Sequence, residues 1–224
     1  YLDVDGTIAG TGGECKGGIG LSYQGIWGYH PLVVSLANTK EVLYLVNRPG
    51  NAVSHEDSVV WIDRAIALVA PFAGQVTLRG DTDFSHTQHL DRWDAQGTKF
   101  ILGLDAHAKA VGLADALPAQ AWTKLERLPK YEILTEPRTK PERVKEAIVR
   151  EKGFQNLVLV GEDVAEIEYR PAACRKTYRL VIVRKNLSVQ RGEQVLFDEV
   201  RYFFYLTNRR DLDRPGIVAR AHGR

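Results

Sequence analysis

The sequence predicts an α/β protein: a mixed sheet carrying helices, with a β-rich module appended to it or inserted in it. Three observations carry this. Strand-like runs fill most of the first fifty residues, strand and helix patterns then alternate to about residue 105, and beyond Pro118 the texture turns basic and mostly β. With 44% hydrophobic and 26% charged residues in 224, the chain has ordinary globular composition, which excludes disordered, collagen-like and disulfide-stapled classes. No run approaches the roughly 18 consecutive apolar residues that a membrane helix needs, and no basic segment followed by an apolar one marks a signal peptide. Cys15 and Cys174 are the only cysteines, which points to a reducing compartment and, with no membrane partner expected, to the cytoplasm. Methionine is absent and the chain opens on Tyr1-Leu2-Asp3-Val4-Asp5, strand-like from its first residues, so the sequence reads as a fragment.

The elements follow in order. Residues 2 to 9 alternate as a short strand, and the glycine-rich run from Gly10 to Gly20 breaks regular structure. Gly28 to Leu36 and Val42 to Val46 are β-rich runs joined by Asn38-Thr39-Lys40-Glu41, with Arg48-Pro49-Gly50-Asn51 closing the second. Ser54 and Asp57 resemble a capping box, and Val59, Ile62, Ile66, Val69 and Phe72 then recur at helical spacing. Gln75 to Arg79 reads as a strand ending at Gly80-Asp81-Thr82-Asp83. A helix from Thr87 to Gln96 is bounded by Gly97, and Lys99 to Leu104 makes another strand. Three antiparallel strands followed by βαβ units, whose crossovers are right-handed, is the order of a ribonuclease H-like mixed sheet. In that order the first strand pairs with the fourth, so acidic side chains on the first and at the end of the fourth face each other.

The second half differs in charge as well as pattern. Residues 1 to 120 hold 8 Lys and Arg against 13 Asp and Glu, whereas residues 121 to 224 hold 22 against 15, which suggests different tasks. Thr139-Lys140-Pro141-Glu142 opens a charged helix to about Lys152. Strands follow at Asn156 to Val160, Thr177 to Val183 and Val195 to Leu206, with turns at Gly153, Pro171, Asn186 and Gly192. This basic, mostly β module is appended to the acidic α/β part or inserted in it.

Asp3 and Asp5 lie two apart on a strand and therefore share a face. Two buried like charges are costly without a cation, and carboxylate oxygens suit Mg²⁺ or Mn²⁺. Asp81 and Asp83 sit just past a strand's C-terminal end, where open α/β sheets place functional groups. Two acidic clusters on neighbouring strands make half of a two-metal phosphoryl-transfer site. Other motifs fail on spacing: Gly10 to Lys16 lacks the Ser or Thr and the glycine spacing of a phosphate loop, and His86 with His89 lacks further zinc ligands. The scattered tryptophans and the aromatic strand Tyr202 to Leu206 read as packing.

Asp3-Val4-Asp5-Gly6-Thr7, Gly28-Tyr29-His30-Pro31-Leu32, Arg48-Pro49-Gly50-Asn51, Arg79-Gly80-Asp81-Thr82-Asp83-Phe84 and Phe203-Phe204-Tyr205-Leu206-Thr207-Asn208, in this order, resemble the DDE transposases of bacterial insertion sequences. The resemblance implies a ribonuclease H-like catalytic core over 1–117, a basic β-rich insertion over 118–200, and a return strand to the core over 201–224 that stops before the last catalytic helix. The first catalytic acid maps onto Asp5, with Asp3 the alternative, and the second onto Asp81. The third, a glutamate on a helix after the aromatic strand, has no match, because no Glu follows Glu199. The resemblance further implies two Mg²⁺ or Mn²⁺ ions, cleavage and strand transfer on double-stranded DNA at transposon ends, a homo-oligomer on DNA, and a bacterial, nucleoid-associated location. Arg175, Lys176, Arg179, Arg184 and Lys185 are the densest basic cluster and the candidate DNA contacts. Two rivals stand beside this reading. Leu2 to Ile8 also resembles the nucleophile motif of haloacid-dehalogenase-type phosphatases, with Asp3 attacking phosphate and Asp5 as acid/base, and a non-catalytic DNA-binding fragment would share the incomplete acidic set.

Overall fold

A computed structural model describes residues 1–13, 15–127 and 144–222. The described chain divides into two compact units: Tyr1–Asp105, Ile167–Val181 and Phe204–Arg224 form the first, and Ala106–Glu166 and Ile182–Phe203 the second. The first unit therefore includes residues 167–181, a stretch that the sequence reading gave to the insertion.

Alternation builds the first strand, β1 (Leu2–Gly6): Leu2 and Val4 are fully buried on one face and Asp3 and Asp5 take the other. The glycine-rich segment is not structureless. β2 (Ala9–Gly10), β3 (Gly20–Leu21) and β4 (Trp27–Tyr29) form a separate three-stranded sheet in the order β2-β4-β3. The run from Gly28 to Leu36 is thus split at Pro31, whose missing N–H cannot serve a ladder, and β5 (Leu32–Leu36) continues in the main sheet with β6 (Glu41–Val46).

The capping box does not form. Helix α1 (Ser58–Val69) starts after Asp57, which is left-handed and makes no side-chain cap. The cause is Arg48, whose Nη1 donates to the carbonyls of Val53, Ser54 and Glu56 and holds that stretch as turns. Phe72 lies beyond α1 in a 3₁₀ turn and is exposed rather than packed. β7 (Thr77–Gly80) is wholly buried, α2 (Leu90–Ala95) follows a 3₁₀ turn, and β8 (Lys99–Leu104) has the bounds the sequence predicts. Helix α3 (Ala108–Asp115) was not foreseen; its N-cap is the His107 side chain, which accepts from Ala110 N–H.

In the second unit, β9 (Thr123–Lys124) pairs antiparallel with β10 (Gln155–Tyr169). Helix α4 (Val144–Glu151) is described from Val144 on, and the predicted opening at Thr139 to Glu142 lies outside the described residues. β10 and β11 (Tyr178–Arg191) are far longer than predicted, whereas β12 (Gln194–Thr207) exceeds its predicted span by one residue at each end. Asn186 is no turn but a strand residue, because its Nδ2 finds Asp163 on β10 at 2.9 Å. Last comes helix α5 (Arg214–His222), where the sequence reading expected none; Asp213 Oδ1 accepts from Gly216 N–H at its start.

Within the first unit the strand order is β6-β5-β1-β7-β8-β12. β1 pairs antiparallel with β5 and parallel with β7, with Asp3 opposite Arg79, and β7 pairs parallel with β8. The expected adjacency of first and fourth strands is therefore present in a mixed α/β sheet compatible with a ribonuclease H-like fold. Helix α1 packs on β1, β5 and β6, and α5 on β8. Among the described residues no helix is long and apolar enough to cross a membrane.

Candidate active site

Asp5 and Asp81 line one cleft of about 370 Å³ together with Asp83, Thr7, Ser54, His30, Tyr23 and Gln24. Asp5 is exposed at the C-terminal end of β1, with one oxygen accepting Gly6 N–H at 2.9 Å. Asp81 caps the 3₁₀ turn Thr82–Phe84, its Oδ1 accepting Asp83 N–H at 3.0 Å. That turn folds down onto the sheet because residue 80 is glycine: a Cβ there would lie 2.8 Å from Phe84 Cβ and 3.1 Å from Val4 Cγ1. Phe84 is buried and anchors the turn. No lysine or arginine is among the described residues that line the cleft, so the carboxylates raise the local negative potential and favour a cation.

Asp3 shares its face with Asp5 but has a different fate. Arg79 takes both its oxygens in a two-pronged ion pair, Nε to Oδ1 at 2.6 Å and Nη2 to Oδ2 at 2.7 Å. The guanidinium also donates to Arg220 O at 2.7 Å and lies over the Tyr1 ring. An aspartate clamped in this way is a poor nucleophile, and with the antiparallel β1–β5 pair this argues against the phosphatase alternative.

The far wall of the cleft comes from the two motifs whose purpose the sequence left open. His30 is buried, and its Nδ1 lies 2.9 Å from Ala52 O. A carbonyl only accepts, so Nδ1 carries a proton and donates it, which leaves Nε2 as the ring nitrogen on the other side. That atom lies against Gly6, where a Cβ would approach it to 2.7 Å. Arg48 fixes this wall from behind, its Nε donating to His30 O at 3.0 Å while burial pushes its pKa down. The Thr207-Asn208 pair is likewise architectural. Thr207 Oγ1 donates to Phe100 O, and the Asn208 amide accepts from Phe100 N–H and donates to Thr98 O and Asp94, locking β12 against β8.

The basic cluster is divided between the two units. Arg175, Lys176 and Arg179 fall in the first unit, and Arg184 and Lys185 in the second. Arg179 is buried, with Nη1 donating to the carbonyls of Arg209 and Leu212, which removes it from the exterior. The backbone of Arg175 and the ammonium of Lys176 are tied to Asp91 and Asp94 on α2. Arg184 pairs with Asp163 and lies over Trp122, and Lys185 faces Glu162 at 3.7 Å.

Sequence reasoning placed Asp5 and Asp81 in one cleft and missed His30, Tyr23, Gln24 and Ser54 there. The only signal for His30 was its place in a motif; for the others, which loops meet is a tertiary matter. No group of three or more His, Cys, Asp or Glu among the described residues has the spacing of a complete metal site. Two carboxylates with remaining positions left to water and phosphate oxygens is the usual way Mg²⁺ is held, and on that donor set the cleft fits such an ion.

No curated protein matches this chain. A family profile described as transposase DDE domain group 1 matches residues 1–211, nearly the whole chain, and by that match the protein belongs to the DDE transposase domain family.

Proposed function

We propose that the chain is the catalytic domain of a DNA transposase, with a ribonuclease H-like core, that cleaves phosphodiesters at transposon ends and transfers the strands in a metal-dependent reaction. The observation that carries this reading is the convergence of Asp5 and Asp81, from the ends of two adjacent parallel strands, on one cleft with no lysine or arginine among its described lining residues, in a chain that belongs to this family. Mg²⁺ or Mn²⁺, two ions in the active complex, would activate the attacking hydroxyl and stabilise the leaving oxygen. Asp5 would hold both ions and Asp81 one of them. The Gly6 amide fixes one Asp5 oxygen and the Asp83 amide fixes Asp81, so both carboxylates are oriented before any substrate arrives. A third acid remains to be supplied; the described part of α5 contains no glutamate.

Double-stranded DNA is the partner this chemistry requires, in a bacterial cytoplasm and with a homo-oligomer bridging two ends. Of the basic residues predicted for DNA, Arg175, Lys176, Arg184 and Lys185 remain candidates for phosphate contact, and Arg179 is withdrawn because it is buried. The test is a crystal of the protein soaked in Mn²⁺. Anomalous density bridging Asp5 and Asp81 is the expected result, and an ion held instead by Asp3 and Asp83 would overturn the assignment.

A further inference from the structure

The small sheet between the first two strands of the main sheet ends in a turn that reaches the acidic cleft. Ser22 is buried and organises this turn: its N–H donates to Ile26 O, its carbonyl accepts Gly25 N–H, and its Oγ accepts Ile26 N–H at 3.1 Å. Gly25 takes the left-handed conformation that the turn needs, at φ 74°. The backbone is therefore fixed by three hydrogen bonds, while the side chains it carries are left in solvent. Tyr23 is 83% exposed and Trp27 56% exposed, and Leu21, the cross-strand partner of Trp27, is exposed as well. Leaving rings of this size in water is unfavourable by ordinary transfer energetics, and this is the aromatic part of the cleft: Tyr23 and Gln24 line it beside Asp5 and Asp81.

We infer that Tyr23 is a stacking platform for an unpaired nucleobase next to the phosphodiester that the carboxylates handle, with the Gln24 amide at the base's edge. This rests on the reading of the cleft as a DNA-cleaving site. No lysine or arginine is among the described lining residues, so the cleft has no long cationic side chain of its own to grip a DNA phosphate. What the cleft offers instead is a π-face and an amide, the two groups that bind single-stranded bases and read their edges. Gln24 Nε2 donates to the Tyr23 hydroxyl at 2.9 Å, which orients the ring and leaves the amide oxygen and a second N–H for a base.

The experiment uses the full-length protein and a single-stranded oligonucleotide carrying 2-aminopurine, with Ca²⁺ present to permit binding without cleavage. Stacking should quench the fluorophore. Tyr23→Ala should restore its emission and weaken binding between about fivefold and about a hundredfold, the range for loss of one base–aromatic stack. Tyr23→Phe keeps the ring and should stay within about twofold of wild type on that basis. If Tyr23→Ala binds and quenches like wild type while Mn²⁺-dependent nicking of duplex DNA persists, the stacking inference fails and the active-site reading stands. If wild type neither binds nor nicks DNA, both fall. If Tyr23→Ala instead converts a dimer to a monomer in sedimentation, with the quench unchanged, the turn is a contact between copies and the inference is overturned.

Discussion

Asp3 and Asp5 stand two residues apart on one face of one strand, yet the two ends of β1 are opposite environments. At the Asp3 end, Arg79 clamps the carboxylate while the Tyr1 ring and the carbonyl of Arg220 hold the guanidinium, and the side chains of Asp3 and Arg79 are only 14% and 6% exposed. At the Asp5 end the strand runs out into the cleft, and the carboxylate meets a backbone amide, Asp81 and Asp83. A carboxylate with a dedicated arginine is spent on holding the sheet together. One facing other carboxylates is held against its own electrostatics and is available for a cation. The contrast separates structural from functional acids without reference to chemistry.

The largest expected effect tests the open end. Asp5→Asn or Asp81→Asn would remove a proposed ligand for ions that would supply several kcal/mol of transition-state stabilisation, so Mn²⁺-dependent DNA nicking should fall on the order of a thousandfold or more. Thermal stability should be unchanged or slightly raised, because a repulsion is relieved. A clear drop in Tm would instead place Asp5 among the structural acids. The closed end should behave in reverse: Asp3→Ala strands the buried Arg79 charge and should cost about 3–5 kcal/mol in denaturant unfolding. A loss below about 1 kcal/mol, the range of exposed pairs, would erase the distinction.

A third test concerns the residues flanking the acidic turn. Burial, then His89 and His55, push His86 down to about 4, and its Nε2 lies 2.7 Å from Ser58 Oγ at the start of α1. Between that value and an unfolded pKa near 6.5 the unfolded chain holds a proton that the folded chain does not. Stability should therefore fall as pH drops from about 6.5 to about 4, by up to about 3 kcal/mol from this residue. His86→Asn, which tolerates the left-handed backbone at φ 38°, should flatten that slope in urea titrations at stepped pH; an unaltered slope would assign it to other groups. The smallest effect is steric. Gly6→Ala drives a Cβ into His30 and should cost about 1–3 kcal/mol, and adding His30→Ala should return part of it if that contact is the cause.

The strand order of the first hundred residues could be read from the sequence because it rests on local alternation, and β8 even has its predicted bounds. The misses share a cause. The helix after residue 54 starts late because Arg48 claims carbonyls that the first helical N–H groups would otherwise take. Asn186 looks like a turn until Asp163 is beside it, and α5 was passed over although Asp213 and Pro215 are ordinary helix-start residues. Cap and turn preferences are weak, and one buried side chain that satisfies three carbonyls outweighs them.

The sequence by itself determined which residues could carry the chemistry: period-two alternation places Asp3 and Asp5 on one face, and a strand followed by Gly80 places Asp81 at its end. Only the tertiary structure decided which of those acids is clamped by an arginine and which lines the cleft. That choice depends on where Arg79 points, on which loop brings His30 over Gly6, and on the turn that carries Tyr23 into the cleft. Each is a contact between segments far apart in the chain, and no local pattern encodes the partner of a buried charge.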